Sequence, residues 1–275
     1  MEGRLPNLLI IGAMKAGTSS LHDYLSLHPD IYMSTPKEIH YYADADYLTK
    51  TKEWYTSFFK TDKKIAGTTP QSYTKCHNKY YQHIPERIFK DTPDVKMIYI
   101  VRDPIKRYQS HIKESHFGDP KEDIRYSESI DHYIKTSMYY MQINEYLKYF
   151  KLEQIHVLSL EDLATNKLTE LNKIFLFLGV KELTNEQLFN FKANEFSNQN
   201  IPSSIRTSYL FRLGNKILPG ISRKIASRFA KYYYKKLEKR YELSDERLTE
   251  LTSKLRDDVE QFRRLTGKEF KEWSI

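Results

Sequence analysis

The chain is expected to fold as an α/β protein: a parallel β-sheet flanked by helices, with a helical C-terminal cap, in a single domain. Three observations predict this. Short apolar runs alternate with helical patterns through the first 182 residues, turn-forming residues or charges follow each run, and strand patterning stops beyond about residue 182. Short apolar strands separated by helices are the mark of a sheet buried on both faces.

Asn7-Leu-Leu-Ile-Ile11 is the first run, ending at Gly12, and Leu21, Tyr24 and Leu25 fall at helical spacing in Thr18 to Leu27. Met97-Ile-Tyr-Ile-Val101 is the second, halted by Arg102-Asp103-Pro104. Proline suits the first turn of a helix, here one running to about His116. Gln154 to Leu160 is the third strand, and Glu161-Asp162 opens the helical region after it. Leu168, Leu171, Ile174, Phe175 and Leu178 then mark an amphipathic helix that Gly179 can close. Arg206 to Arg240 reads as basic helices interrupted by Pro219-Gly220. Ser244-Asp-Glu246 is a helix start, followed by a stripe of Leu248, Leu251, Leu255, Val259, Phe262 and Leu265 and a stop at Gly267. With no repeat or Gly/Ser linker, residues 183–275 read as a cap on a 1–182 core rather than an independent domain.

Composition narrows the function classes. The 275 residues carry 44 Lys+Arg against 36 Asp+Glu, a net charge of +8, which points to an anionic ligand or surface. The single Cys76 excludes an intrachain disulfide framework and any Cys-rich zinc module. Apolar stretches such as Leu8–Met14 and Ile174–Val180 fall short of the roughly 18–20 residues a membrane span requires. No basic and apolar leader opens the chain, so the expectation is a soluble, cytoplasmic protein. The nine histidines show no metal-ligand spacing, and no metal is expected. Lys231 to Arg240 interleaves basic residues with tyrosines but reads as a solvated helical face, so no nucleic-acid partner is expected.

Three segments carry chemistry. Gly12-Ala-Met-Lys15-Ala16-Gly17-Thr18-Ser19-Ser20 joins a strand to a helix. Small residues there let backbone N–H groups converge on an anion at the positive end of the helix, with Lys15 adding charge and three hydroxyls adding donors. The lysine precedes Gly17 instead of following it, so this is not a Walker A loop. Arg102 ends the second strand and Ser110 lies eight residues on; the pair reads equally as a phosphate receptor or as an Arg102–Asp103 surface pair beside an ordinary helical serine. Lys106 and Arg107 read as solvated helix charges. In Lys37-Glu38-Ile39-His40-Tyr41-Tyr42, Glu38 and His40 share one face of an extended segment, which suits a general base near aromatics and suits an exposed turn equally well.

Lys15-Ala-Gly-Thr-Ser-Ser-Leu21 after an apolar strand, followed by Leu25-Ser-Leu-His28-Pro29, resembles the 5′-phosphosulfate loop of sulfotransferases that use 3′-phosphoadenylyl sulfate (PAPS). The heparan-sulfate-type and bacterial branches are the most similar. The resemblance implies the P-loop-like sulfotransferase fold and transfer of a sulfuryl group to a hydroxyl or amine of a carbohydrate or small molecule. It assigns Lys15 to the bridging oxygen of the donor, and Ala16, Gly17, Thr18, Ser19 and Ser20 to the phosphosulfate. Arg102 and Ser110 match the motif for the 3′-phosphate. Lys37-Glu38-X-His40 resembles the segment that supplies a catalytic glutamate, here Glu38, with His40 assisting and Lys37 touching substrate or sulfate. Gly67-Thr68-Thr69-Pro70-Gln-Ser72-Tyr73 resembles a segment of the substrate cleft, which implies acceptor contacts for Thr68 and Tyr73. Trp54-Tyr55…Phe59 and Asp257…Trp273 add similarity.

Two departures favour a cytoplasmic, bacterial-type enzyme. Gly67-Thr68 replaces the family's Glu-Lys, and the paired cysteines and Lys-Gly turn over the nucleotide are missing. Asn198 to Arg206 occupies roughly that region, with Arg206 as the stand-in contact to the 3′-phosphate. A P-loop nucleotide kinase and a non-enzymatic polyanion-binding protein are the rival readings.

Overall fold

A computed structural model describes residues 2–118, 131–190 and 243–275, with six isolated positions between 209 and 228. Arg206 and the basic segment Lys231–Arg240 lie outside the described residues.

Five strands form one fully parallel sheet: β1 Leu8–Gly12, β2 Ile31–Met33, β3 Ile65–Thr68, β4 Lys96–Val101 and β5 Ile155–Ser159, in the order β2-β3-β1-β4-β5. The helices are α1 Thr18–Ser26, the short α2 Asp44–Tyr47 and α3 Lys52–Thr56, α4 Ile84–Asp91, α5 Pro104–Gly118, α6 Asp131–Lys135, α7 Tyr139–Leu147, α8 Leu160–Thr165, α9 Lys167–Leu178 and α10 Asp245–Thr266. The three runs identified in the sequence are β1, β4 and β5. β2 and β3 are three and four residues long, too short for a periodic signal.

The unbroken apolar runs reflect burial on both faces. Leu9, Ile11, Met97, Tyr99, Val101 and Val157 pack with Ile88 of α4, Ile143 and Tyr146 of α7, and Val259 and Phe262 of α10. Leu8, Ile10, Ile98, Ile100 and Leu158 pack on the other side with Leu21 and Leu25 of α1 and Leu171, Ile174 and Phe175 of α9. The α10 stripe continues through Leu251 and Leu255 onto Ile105, Tyr108 and Ile112 of α5. Ser244 caps α10 by accepting the Arg247 N–H, and Gly267 ends it at φ 65°.

The β1–β4 register slips by one residue between Ile10 and Gly12, a bulge that turns the chain out of the sheet into the following loop. The side chain of Thr74 closes over that turn: a Cβ on Gly12 would sit 2.0 Å from its Oγ1, so only glycine fits.

Asp103 fastens β4 to α5. Fully buried, it takes the Ile105 and Lys106 N–H groups on Oδ1 at 2.9 and 3.1 Å, the N-cap role ahead of Pro104 at the first helical position. Its Oδ2 accepts the Ser274 N–H at 2.8 Å and so ties down the C-terminal segment. Asp103→Ala removes a cap and leaves buried N–H groups unsatisfied, and urea denaturation should show a loss of about 3 kcal/mol. A loss below about 1 kcal/mol would mean that water or rearrangement replaces the carboxylate.

Candidate active site

Apart from Thr68, the last residue of β3, and Arg206, which lies outside the described residues, every candidate residue sits on a loop or helix that follows the carboxyl end of a strand. The chain leaves β1 toward β2 and leaves β4 toward β5, so the two connections diverge and open a crevice between neighbouring strands, the usual ligand site of an open parallel sheet. Lys15 enters that crevice from one side and Arg102 from the other.

The β1–α1 loop is bent for close approach. Lys15 takes a left-handed conformation at φ 69°, and Gly17 does so at φ 92° as the residue before α1. Gly17 offers no side-chain cap to α1, and the first turn of the helix holds no acid, so the positive end of the helix is not offset by an acid of its own. Thr18 is buried and donates to Gln71 Oε1 at 3.4 Å, while Ser19 and Ser20 are half-buried.

Arg102 is half-buried, and its Nη1 approaches the Lys15 carbonyl at 3.5 Å, joining the two candidate anion-binding segments. Its backbone is clamped by Tyr139, whose hydroxyl donates to the Arg102 carbonyl at 2.7 Å and lies 3.4 Å from the Arg102 N–H. Glu161 Oε1 accepts the next N–H, that of Asp103, at 3.1 Å. Ser110 is half-buried about two turns into α5. The Arg102–Asp103 surface pair is thereby corrected: Asp103 is buried and spends its oxygens on backbone N–H groups. Arg107 is corrected as well. It is fully buried rather than solvated, bonded to Ser137 Oγ at 2.6 Å, His111 Nδ1 at 3.1 Å and the Tyr133 carbonyl. Lys106 is exposed.

Glu38 and His40 do share a face, with Ile39 buried between them. His40 Nε2 is 3.4 Å from Glu38 Oε2, and its Nδ1 is 2.8 Å from Ser72 Oγ. Lys37 Nζ lies 2.7 Å from Glu38 Oε1 and donates to Ser19 Oγ, also at 2.7 Å. One ammonium therefore links the carboxylate to the β1–α1 loop. Burial alone would raise the Glu38 pKa, but hydrogen bonds from His40 and Lys37 and the Lys37 charge hold it down to about 2. Behind them His22 of α1 meets Thr69 Oγ1 at 2.8 Å, and burial together with Lys37 pushes its pKa down to about 4.

Thr68 and Tyr73 are placed differently from the expected acceptor contacts. Thr68 is fully buried and donates to the Lys37 carbonyl at 3.1 Å. Tyr73 is 1% exposed, and its hydroxyl accepts the Tyr42 N–H at 3.0 Å and donates to the Ile39 carbonyl at 3.3 Å. Both shape the 37–42 segment from behind. Ser72, Thr69, His22, Gln71, Tyr139 and Glu161 escaped the sequence reading as site residues. Their partners lie tens of positions away, and no local spacing signals such pairs. Among the described residues there is no metal-binding group of His, Cys, Asp and Glu.

The chain is similar to known proteins. Residues 5–252 match the family model described as a sulfotransferase domain. Heparan sulfate glucosamine 3-O-sulfotransferase 5 of Homo sapiens is 31% identical over 194 residues, 64% of this chain and 54% of the relative. The human 3-O-sulfotransferase 3B1 is 28% identical over 245 residues, 84% of this chain and 61% of the relative. The chain thus spans little more than half the length of these curated relatives. A solved sulfotransferase from Alicyclobacillus acidocaldarius superposes with a TM-score of 0.68 at 21% identity, covering 99% of this chain and 100% of that one, which establishes the shared fold. With most of its length under the family model and the α/β architecture of that structure, the chain belongs to the sulfotransferase domain family.

Proposed function

We propose that this protein transfers a sulfuryl group from PAPS to an acceptor hydroxyl or amine, with a sugar hydroxyl as the first choice. The observation that carries the reading is the convergence on one crevice of the α1 helix start, Lys15 and Arg102, with Glu38 tied to the same loop through Lys37 and Ser19. A donor with several negative charges meets N–H groups and cations on one side and a carboxylate on the other.

In this reading Glu38 takes the acceptor proton as the acceptor oxygen attacks sulfur. The bond from sulfur to the bridging oxygen breaks, and that oxygen leaves with its electron pair on the 5′-phosphate. Lys15 and the loop amides from Ala16 to Ser20 stabilise the growing charge. Arg102 and Ser110 hold the 3′-phosphate, with Arg206 as a further contact. His40, set by Ser72, orients Glu38, and Lys37 lies beside the sulfuryl group. Thr68 and Tyr73 act on the acceptor only by holding the 37–42 segment. The similarity to glycan 3-O-sulfotransferases supports a carbohydrate acceptor. The single cysteine supports a reducing, cytoplasmic setting. No helix among the described residues is long and apolar enough to cross a membrane.

Calorimetry should find adenosine 3′,5′-bisphosphate binding without Mg²⁺ and at least about tenfold tighter than ATP. Equal affinities, or binding of ATP alone, would point to a nucleotide kinase. Arg102→Ala should weaken the bisphosphate by about 1.5–3 kcal/mol, as expected for a hydrogen bond to a charged group. Lys15→Ala should lower turnover by about 10²–10³-fold while changing product-nucleotide affinity far less. Glu38→Gln should lower turnover by about 10²–10⁴-fold.

The acid limb of the pH–rate profile tests the base independently. Lys37 and His40 favour the ionised form of Glu38, so the base stays competent down to low pH. In Lys37→Met the burial effect is opposed by less, the Glu38 pKa rises, and the acid limb of kcat/KM moves to higher pH. A limb that stays in place would assign the titration to another group.

A further inference from the structure

Side-chain contacts close a ring beside the β1–α1 loop. Thr18 Oγ1 meets Gln71 Oε1 at 3.4 Å, and the neighbouring Ser19 Oγ takes a hydrogen bond from Lys37 Nζ at 2.7 Å. Lys37 Nζ reaches Glu38 Oε1 at 2.7 Å, and Glu38 Oε2 lies 3.4 Å from His40 Nε2. His40 Nδ1 in turn lies 2.8 Å from Oγ of Ser72, the residue after Gln71. The start of α1, residues 37–40 and the turn after β3 thus form one circuit, with Gln71 on the side away from Glu38 in the order of contacts.

Backbone bonds anchor Gln71 on this ring. Its N–H donates to the Thr69 carbonyl at 2.9 Å, and the Pro70 carbonyl accepts the Tyr73 N–H at 2.9 Å, a tight turn directly after β3. Thr69 fixes that turn from two sides. Its N–H donates to the Lys37 carbonyl at 3.0 Å, and its hydroxyl meets His22 Nδ1 of α1 at 2.8 Å. The Gln71 side chain therefore starts from a held backbone and ends against the first residue of α1.

The donors on the ring can be followed one by one. Two of the three Lys37 N–H bonds go to Ser19 and Glu38. With its proton on Nε2 facing Glu38, neutral His40 accepts the Ser72 hydroxyl on Nδ1. The Thr18 hydroxyl is directed to Gln71 Oε1. Gln71 keeps both N–H bonds of Nε2 without a described partner. The two ends of a carboxamide are about 2.3 Å apart, so Nε2 lies within about 6 Å of Thr18 Oγ1. That places two unspent donors at the helix start that the sulfuryl-transfer reading gives to the phosphosulfate.

A sulfuryl group between this helix start and Glu38 presents oxygens that share a negative charge. A neutral N–H donor can hold such an oxygen without pairing with the carboxylate opposite, as another cation would. We propose that Gln71 is a further substrate-contacting residue, whose Nε2 donates to the sulfuryl oxygens of the donor. The contact rests on the PAPS reading and adds discrimination to it: adenosine 3′,5′-bisphosphate carries no sulfuryl group, so Gln71 favours the donor over the spent nucleotide.

Calorimetric titration of PAPS and of adenosine 3′,5′-bisphosphate into the parent, Gln71→Met and Gln71→Glu tests this without an acceptor. Gln71→Met removes the donor at nearly constant length. Gln71→Glu keeps an oxygen for Thr18 but turns the N–H end into a carboxylate oxygen. Gln71→Met should bind PAPS about tenfold more weakly, and Gln71→Glu more weakly still. Bisphosphate affinity should stay within about threefold of the parent in both, which also shows that each variant is folded. Equal losses for the two nucleotides would make Gln71 a support of the loop, and unchanged PAPS affinity would remove it from the site; either result overturns the contact. The parent titrations report on the sulfuryl-transfer reading separately. A parent that binds neither nucleotide overturns that reading and the contact with it, whereas a parent that binds both, with variants that match it, overturns the contact alone.

Discussion

Parallel pairing of β1 with β4, two strands far apart in the chain that leave the sheet in opposite directions, is the constraint on which the rest of the site depends. Because the strands run the same way, their following loops emerge at one edge. Because their connections diverge, nothing in the sheet covers the space between those loops. Lys15 and Arg102, 87 positions apart, meet there. The bulge at Ile11 and the side chain of Thr74 over Gly12 set the angle at which the first loop enters, and the buried Asp103 cap sets where the second turns into α5.

The candidate acid–base segment is attached to this crevice by side-chain contacts rather than by secondary structure. Residues 37–42 form neither helix nor strand. They are held from behind by the Thr68 and Tyr73 hydroxyls and in front by the Lys37 ammonium, which bridges Ser19 and Glu38. The same ammonium that places Glu38 also, with the His40 hydrogen bond, favours its ionised form against the penalty of burial.

Positive charge is distributed unevenly through this molecule. The +8 balance reads as a surface property, yet one cation, Arg107, is entirely buried, and its described hydrogen-bond acceptors are a hydroxyl, an imidazole and a carbonyl. Burial first, and then its field and that of Lys75, lower the pKa values of His111 and His132.

The sequence by itself determined the class of fold, because strands buried on both faces must be continuously apolar and their helices must repeat at the helical period. It also singled out the candidate anion-binding loop, because glycine, lysine and hydroxyls needed at one strand end must be contiguous in the chain. Short β2 and β3 escaped it, since three or four residues carry no period. Tertiary structure alone decided that Arg107 is interior, that Asp103 caps α5 instead of pairing with Arg102, and that Thr68 and Tyr73 support the 37–42 segment from behind. It also decided the links from Lys37 to Ser19 and from His77 to His132, 18 and 55 positions apart. The physical reason is common to all of these: burial and long-range hydrogen bonding depend on which faces the sheet brings together, and residue type and spacing along a strand or helix do not encode that.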